Sequence, residues 1–359
     1  MKALFCCKVT LAAIAMLSCS PLLCAETDFV WSNPSLFSYV EGQIATRQEV
    51  RDPCIIRDGD SWHLVFTMWP FSSREESRLG LPNNGSSPGI AMYVSKDLRE
   101  WKFENWLVKA SELPDDCPYR HRFWAPEIHK IKGKYYLIFT ADNWTSKEAN
   151  PAGCWGTAGY AFVGVADKVD GPYRNITYID GAACDTGLFE GADGKTYAVI
   201  PRYNIDVQEI DLSGIEEGRV KLVGKPVTVV KVENDDIGIA VKPAYLEGPW
   251  VERVSGKYYL FYAAFHNDES NREWLGYHTG VAVSESPMGP YRKDPRGRIF
   301  TGGHLAVFDG PGGRKWFSYR GETDNGARGR LAIDPMVFAK SGEVKTKAPT
   351  LGPQREVSN

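Results

Sequence analysis

A pattern of two short apolar strands around a turn glycine recurs five times along the chain. In each copy the strand after the glycine is rich in aromatic and β-branched residues, and another short apolar strand precedes it. Two such strands around a glycine turn predict a β-hairpin. The five turn glycines, spaced 57 to 74 residues apart, are Gly59, Gly133, Gly194, Gly256 and Gly313.

A second strand motif follows each hairpin, although its third copy is degraded. The recognisable copies begin at residues 89, 160, 279 and 330, and no long amphipathic helix separates them. The sequence therefore predicts four strands in each unit. Four-stranded units repeated radially are β-propeller blades. We expect an all-β fold, a five-bladed β-propeller with four-stranded blades. The alternative, a β-sandwich, does not explain a fivefold repeat.

The N-terminal segment is typical of an export signal. Lys2 supplies positive charge, an apolar stretch runs from Val9 to Leu23, and a small-residue cleavage site follows at Ala25. We expect a signal peptide at 1–25, one propeller domain at 30–345, and a tail at 346–359 that is either frayed or a closure strand. The protein is then secreted or periplasmic. No later segment has 18 uncharged apolar residues, so no membrane span is expected.

Four cysteines remain after the signal, and two loops interrupt the strand pattern. In an oxidising compartment the cysteines could form up to two disulfides in any of three connectivities, and none stands in a CxxC pair that would indicate zinc. The segments 72–87 and 141–159 are predicted to be long loops that wall a cleft. The cysteines are Cys54, Cys117, Cys154 and Cys184.

Charge and composition narrow the classes of partner. The formal net charge is -3, and removal of Lys2 and Lys8 with the signal brings it to -5. The sequence contains no basic block, which argues against nucleic acid and anionic membranes as partners. The chain has 11 Trp, 17 Tyr and 16 Phe. Most are expected to pack in the core, but the same rings also line sugar-binding clefts.

Ionisable residues stand shortly before every turn glycine, at the start of the first strand of each unit. Because the innermost strands of a propeller line its channel, we expect these side chains to converge at one mouth. A single acid at a strand start is ordinarily a turn cap, but five such positions are harder to explain in that way. Carboxylates held together cannot all ionise, so one becomes a general acid while another stays ionised as a base. The residues are Asp52, Glu127, Asp185, Glu247 and His304.

Several short motifs in this order resemble glycoside hydrolase family 43, over about residues 45–340. They are Arg51-Asp52-Pro53, Trp124-Ala125-Pro126-Glu127, Cys184-Asp185-Thr186-Gly187, Leu246-Glu247-Gly248-Pro249, Gly303-His304 and Gly329-Arg330. The resemblance implies a five-bladed propeller and an inverting glycoside hydrolase. It does not identify the sugar, the linkage, or exo against endo action.

The resemblance also implies roles for individual residues. Asp52 would be the general base, Glu247 the general acid, and Asp185 the residue that orients the acid and raises its pKa. His304 would lie beneath the sugar, near a structural calcium ion in the central channel or a water cluster. No cofactor is required for the reaction.

Further residues are candidates for binding the sugar, each with an ordinary structural alternative. Arg330 would donate hydrogen bonds to the sugar, or be a surface arginine. Glu127 would belong to the sugar pocket, or pair with Arg122 or Arg51. Trp69 and Trp124 would stack on a sugar face, or pack in the core. His121, between two arginines, would line the cleft.

Two departures from the family pattern concern the substrate. Arg51 stands where a His is frequent, and Thr186 replaces a Pro. The resemblance, and no single residue here, implies α-L-arabinofuranosidase or β-xylosidase type activity, which predominates in the family, on glycosides of plant or algal polysaccharides. Three alternatives remain: a propeller hydrolase of 3,6-anhydro sugars that uses a His as its acid, a non-catalytic carbohydrate-binding propeller, and a protein-interaction propeller. The sequence does not predict an oligomeric state.

Overall fold

The described part of the chain consists of β-strands and three single-turn 3-10 helices. The computed structural model describes residues 29–35, 49–69, 87–143, 160–233, 245–268, 273–321 and 329–356. No helix in these ranges is long and apolar enough to cross a membrane. The 3-10 turns are Ala110–Glu112, Ile215–Glu217 and Pro311–Gly313.

Five antiparallel sheets form the five blades, which confirms the predicted all-β propeller. Each of the five turn glycines joins the first two strands of a blade and has a positive φ. The strands of blades one and two are β2 (Glu49–Asp58), β3 (Ser61–Trp69), β4 (Gly89–Ser95), β5 (Lys102–Lys109), β6 (Arg122–Ile131), β7 (Lys134–Asp142), β8 (Ala161–Ala166) and β9 (Arg174–Tyr178).

Blades three to five repeat the same order, and a two-residue strand, β18 (Phe300–Thr301), also pairs with β16 of blade four. Their strands are β10 (Gly187–Glu190), β11 (Thr196–Arg202), β12 (Asn204–Asp211), β13 (Lys221–Val230), β14 (Glu247–Val254), β15 (Lys257–Asp268), β16 (Glu273–Ser284), β17 (Arg292–Lys293), β19 (Gly303–Asp309), β20 (Lys315–Arg320), β21 (Leu331–Phe338) and β22 (Val344–Thr346).

The first strands of the blades form a closed inner ring. Strand β2 contacts β6 and β19, and β14 contacts β10 and β19, while β6 also contacts β10. Every first strand begins at the same end of this ring, which we call the mouth. Any residue at the start of a first strand is thereby brought close to its counterparts from the other blades.

The two ends of the described chain meet beside blade five. Strand β1 (Phe29–Asn33) pairs with β23 (Gly352–Glu356) in a separate two-stranded sheet. Residues 352–356 are therefore a paired strand and not a frayed tail. Blades five and one are also linked directly, because the Ser318 hydroxyl donates a hydrogen bond to the Pro53 carbonyl at 2.7 Å.

Apolar side chains fill the space between blades. One cluster joins blades five and one, where the buried Trp31 and Trp316 rings meet edge to face with their centroids 4.8 Å apart. Strand residues alternate between neighbouring interfaces, so each blade contributes to the packing on both of its sides. This packing holds the inner strands, and hence the mouth, in place.

Several predicted features lie wholly or partly outside the described residues, among them 1–25, 70–86 and 144–159. The predicted loop at 141–159 starts too early, because Ala141 and Asp142 still belong to strand β7. Cys54, Cys117 and Cys184 form no disulfide with one another. Cys154 lies outside the described residues, so of the expected zero to two disulfides at most one, to Cys154, can form.

Candidate active site

Each blade begins with the same backbone feature, a residue of positive φ at the start of the first strand. In blades one, two, four and five the pairing between the first and second strands shifts register at this residue, which is a β-bulge. The bulge takes this residue out of the regular strand alternation, and at Asp52 and His304 the side chain lies at the mouth. The five residues are Asp52 (φ 51), Ala125 (φ 44), Asp185 (φ 60), Gly248 (φ 53) and His304 (φ 52).

This register corrects the alignment expected from the sequence. Only three of the five ionisable residues, Asp52, Asp185 and His304, occupy equivalent positions. Glu247 lies one residue before the position, and Glu127 lies two residues after it. The offset matters chemically. Glu247 reaches the mouth from the residue before the positive-φ position, whereas Glu127 lies two residues after that position, further along β6 from the mouth.

Hydrogen bonds from the neighbouring blade fix two of the positive-φ residues. The buried Thr67 hydroxyl accepts the Ala125 N–H at 2.6 Å and donates to Oδ2 of Asp52 at 2.6 Å. Thr140, at the equivalent place in blade two, accepts the N–H of Asp185 at 3.0 Å. A strained backbone conformation persists only when its surroundings hold it, and these bonds supply part of that support.

Asp52 and His304 form an ion pair between blades one and five. Nδ1 of His304 lies 2.9 Å from Oδ1 of Asp52, and both side chains are buried. Burial favours the neutral form of Asp52, but the His304 charge and hydrogen bond, with Arg51 and Thr67, outweigh it and hold the pKa of Asp52 well below its usual range. Burial opposes the charge on His304 too, yet Asp52, Asp185 and Glu247 raise the pKa of His304 to about 10.

Glu247 lies beside the same imidazole ring. The carboxyl groups of Asp185 and Glu247 and a ring nitrogen of His304 all lie within 4.8 Å of one another. The glycine that follows Glu247 allows this approach, because a Cβ on Gly248 would stand 2.7 Å from Cγ of His304. Together with its φ of 53°, this contact explains why the position is glycine.

The pKa values of Asp52 and Glu247 are shifted in opposite directions. Removal from water, and then the nearby charge of Asp185, raise the pKa of Glu247 to about 8, against the lowering effects of Tyr277, His304 and Arg51. Burial likewise raises the pKa of Asp185. Near neutral pH Asp52 is therefore ionised and Glu247 is protonated. This is the combination that general base and general acid catalysis requires.

Two residues that the sequence did not single out complete this group. Tyr277 on β16 is buried and donates a hydrogen bond to Glu247, while its hydroxyl oxygen accepts one from Nη2 of Arg51 at 3.2 Å. Arg320, the last residue of β20, places its guanidinium 5.7 Å from the centre of the Tyr277 ring. Arg320 pairs with Gly303 across the sheet, so it also lies at the mouth. Neither residue belongs to the aligned positions, which is why the repeat alone did not reveal them.

Glu127 has a partner other than those expected. Its Oε2 lies 2.7 Å from Nε2 of His129, and both side chains are buried. The His129 ring stacks on Trp250 with 5.0 Å between ring centroids. Neither Arg51 nor Arg122 is therefore the partner of Glu127 in this structure, since Arg122 pairs with Asp142.

The other predicted sugar-binding residues lie at the mouth end of their strands. Trp124 immediately precedes the bulge of blade two and is half-buried, with the Arg122 guanidinium 5.3 Å from its ring. His121 and Arg330 are half-buried residues just before β6 and β21. Trp69 is the last residue of β3, and its side chain lies outside the described part of the structure.

The Asp185–Glu247–His304 triad offers too few ligands to hold a calcium ion by itself. Calcium takes six to eight oxygen ligands, whereas the triad offers two carboxyls and one ring nitrogen. The calcium ion or water cluster expected at His304 stays a prediction.

The sequence matches one protein family over most of its length. The family model of glycosyl hydrolases family 43 matches residues 45–344. The chain belongs to glycosyl hydrolases family 43. The motif positions at Asp52, Asp185 and Glu247 all lie within the matched range, and the structure gathers them around one imidazole.

Curated relatives are about a quarter identical to the chain over the aligned residues. A xylan 1,3-beta-xylosidase of Vibrio sp. is 26% identical over 262 residues, covering 70% of this chain and 42% of the relative. The extracellular exo-alpha-(1->5)-L-arabinofuranosidase ArbA of Cellvibrio japonicus is 25% identical over 302 residues, covering 76% of this chain and 74% of the relative. The chain thus spans less than half of the xylosidase.

Solved family 43 structures share the fold. A thermostable family-43 glycoside hydrolase superposes with a TM-score of 0.66 at 21% identity, covering 90% of this chain and 98% of that one. The family 43 protein BlXynB of Bacillus licheniformis gives 0.65 at 21% identity, covering 91% of this chain and 58% of that one. At this level of identity the likeness concerns the propeller itself.

Proposed function

We propose that this family 43 protein is an inverting glycoside hydrolase of the xylosidase or arabinofuranosidase type. Asp52 is its general base and Glu247 its general acid, and Asp185 orients and tunes the acid. The observation that carries the proposal is the opposite protonation of two carboxyl groups beside one imidazole, with Asp52 ionised and Glu247 protonated near neutral pH.

The reaction follows from these two states. Asp52 accepts a proton from a water molecule as the water oxygen bonds to the anomeric carbon. The glycosidic C–O bond breaks on the opposite face, and its electron pair goes to the leaving oxygen, which takes the proton of Glu247. Attack and departure on opposite faces invert the anomeric centre.

The contacts of Asp52 suit a base. His304 and Thr67 each donate one hydrogen bond to it, one on either oxygen. A carboxylate has about four lone-pair sites, so both oxygens keep capacity to take a proton from water. His304 and Thr67 also fix the direction in which the carboxylate points.

The substrate type rests on the relatives. Their printed names include a xylan 1,3-beta-xylosidase and an exo-alpha-(1->5)-L-arabinofuranosidase. Pentosides of plant or algal polysaccharides are therefore the proposed substrates. The half-buried Trp124 supplies an aromatic face at the mouth for a sugar ring, and Arg330 a donor. We also propose that the protein is exported, which the apolar N-terminal stretch and the name of the Cellvibrio relative support.

The test compares Glu247→Gln and Asp52→Ala on aryl β-D-xylosides and α-L-arabinofuranosides. Loss of the acid should reduce kcat/KM by about 10²- to 10⁴-fold for phenyl glycosides and much less for dinitrophenyl glycosides, whose leaving group needs no proton. Loss of the base should reduce kcat/KM by about 10²- to 10⁴-fold for phenyl and dinitrophenyl glycosides alike. Glu217→Gln, an exposed change on the 3-10 turn of blade three, is the control and should retain full activity.

Three outcomes would reject the proposal. Full activity of Glu247→Gln on phenyl glycosides would favour a hydrolase of anhydro sugars whose acid is a His. Full activity of Asp52→Ala would rule out the base. Binding of pentose oligosaccharides without turnover of any aryl glycoside by the wild-type protein would favour a carbohydrate-binding propeller.

A further inference from the structure

The hydroxyl of Tyr277 bridges two blades at the acid. It donates a hydrogen bond to the Glu247 carboxyl of its own blade and accepts one from Nη2 of Arg51 in blade one, at 3.2 Å. Arg51 directly precedes Asp52 in sequence, so the residue beside the base contacts the residue that holds the acid. The ring of Tyr277 is almost fully buried, with 2% of its surface exposed.

The packing around Tyr277 fixes where its hydroxyl points. A Cβ on Gly303 would stand 2.6 Å from Cβ of Tyr277, so the backbone of blade five lies directly against the side chain. The guanidinium groups of Arg51 and Arg320 lie 5.9 and 5.7 Å from the ring centre. Because three blades hold the buried ring in place, the Tyr277 hydroxyl can reach few hydrogen-bond partners.

A donor at this place matters most when Glu247 gives up its proton. In the ground state the carboxyl is neutral, and a hydrogen bond to it is an ordinary one. As the proton passes to the leaving oxygen, negative charge develops on Glu247 and the bond from Tyr277 becomes charge-assisted. Interactions that strengthen in the transition state accelerate the reaction.

Tyr277 itself stays protonated throughout. Burial and then the neighbouring Glu247 raise its pKa well above the ordinary value, so it donates a hydrogen bond without transferring its proton. The hydrogen bond from Arg51 to the phenolic oxygen polarises the O–H group and directs its hydrogen away from Arg51. After the reaction Glu247 regains a proton from solvent, and Asp52 releases the one it took from water.

We propose that Tyr277 and Arg51 are positioning residues for the proton donor: Arg51 orients the Tyr277 hydroxyl, which stabilises the carboxylate of Glu247 as it forms. This proposal rests on the proposed role of Glu247 as general acid. It adds Tyr277, which lies outside the motifs, and Arg51, which stands in the first motif where a His is frequent. Both act through the acid rather than on the sugar.

Several charged or titratable groups face Glu247, and they act in opposite directions. The charge of Asp185 raises the pKa of Glu247, while the hydrogen bond from Tyr277 and the charges of His304 and Arg51 lower it. Loss of either positioning residue should therefore move the alkaline limb of the pH profile upward. The facing groups are Asp185 before β10, His304 on β19, Arg51 on β2, Tyr277 on β16 and Tyr245 before β14.

The variants isolate the hydroxyl and the charge. Tyr277→Phe keeps the buried ring and removes only the oxygen, and Arg51→Met removes the guanidinium. The chain offers a matched control in Tyr319, a buried tyrosine whose hydroxyl donates to a buried carboxylate, Oδ2 of Asp334, at 2.7 Å outside the mouth. Tyr319→Phe therefore loses the same kind of bond without touching the acid.

The experiment measures kcat/KM against pH for phenyl and 2,4-dinitrophenyl glycosides of whichever pentose the wild-type protein hydrolyses. Tyr277→Phe should lose about 10- to 100-fold on the phenyl glycoside, the value of a hydrogen bond to a charged group, and under threefold on the dinitrophenyl glycoside, with a higher alkaline limb. Arg51→Met should also lower kcat/KM more on the phenyl than on the dinitrophenyl glycoside and raise the alkaline limb. In the Tyr277→Phe background it should add little to the difference between the two glycosides, although the loss of its charge moves the limb further upward. Tyr319→Phe should leave unchanged both the ratio of kcat/KM for the two glycosides and the position of the alkaline limb.

The ratio of the two substrates on one preparation does not depend on how much of a variant is folded. Equal losses on both glycosides, or an unmoved alkaline limb in Tyr277→Phe, would overturn the proposal and leave Tyr277 a packing residue. Independent effects of Arg51→Met and Tyr277→Phe on the ratio of kcat/KM for the two glycosides would remove Arg51 from the proposal. If instead Glu247→Gln itself shows no dependence on the leaving group, the assignment of the acid fails, and the two failures are thereby distinguished.

Discussion

The Nδ1 atom of His304 lies 2.9 Å from Oδ1 of Asp52, and this contact joins the first and last blades at the mouth. It makes His304 part of the machinery that keeps the base ionised. The same imidazole lies against the backbone of Gly248 and beside the acid, Glu247. One ring thus lies beside both proposed catalytic groups, keeping Asp52 ionised and partly offsetting the rise in the pKa of Glu247.

His304→Asn should bring the acid limb of the pH profile into view. Burial raises the pKa of Asp52, and the His304 charge is the first of the effects that lower it. Without that charge the pKa of Asp52 rises, so Asp52 becomes protonated, and activity is lost, at a higher pH than in the wild-type protein. Asparagine suits the positive φ of position 304. An acid limb at the wild-type position, measured as kcat/KM against pH, would contradict the role given to His304.

Asp185→Asn should move the alkaline limb in the opposite sense from Tyr277→Phe. After burial, the charge of Asp185 is the largest effect that raises the pKa of Glu247 to about 8. Removal of that charge lowers the pKa of Glu247, so the acid loses its proton, and activity declines, at a lower pH. The profile of kcat/KM from pH 4 to 10 measures the shift. A limb that stays near pH 8 would show that Asp185 does not tune the acid.

Gly248→Ala should destabilise the protein more than Gly59→Ala. Both glycines have similar φ values, 53° and 57°, so alanine meets the same backbone cost of about 1–2 kcal/mol at either position. At Gly59 a Cβ would meet nothing within 4 Å, whereas at Gly248 it would lie 2.7 Å from the His304 ring. Denaturant unfolding should show the larger loss for Gly248→Ala, together with reduced turnover. Equal losses would mean that the ring moves aside freely.

The blades could be predicted from sequence because hairpins are local. Each turn glycine and its two flanking apolar strands lie within about 20 residues, and the structure places all five as expected. The mouth also followed, since residues before the first strands must meet when those strands form a ring. The β-bulges could not be predicted from the sequence. A bulge shifts the register by one residue without changing the apolar pattern, so Glu127 and Glu247 were aligned with Asp52 although neither is its equivalent.

The contacts between blades could not be predicted for a further reason. Tyr277 stands on a third strand, and Arg320 at the end of a second strand, in segments whose sequence is typical of ordinary core strands. The contacts of Tyr277 with Arg51 and with Arg320 depend on how the blades close around the mouth, which a single repeat does not encode. The partner of Glu127 was missed as well, because His129 lies two residues along the same strand, on the side that faces Trp250.

Proton NMR of the first-formed sugar tests the central claim most directly. The wild-type protein is mixed with an aryl pentoside, and the anomeric signal is followed before mutarotation equilibrates the product. A base and an acid acting on opposite faces predict that the product first appears with the inverted anomeric configuration. A first product that retains the configuration of the substrate would require a covalent intermediate, and would contradict the assignment of Asp52 as a base.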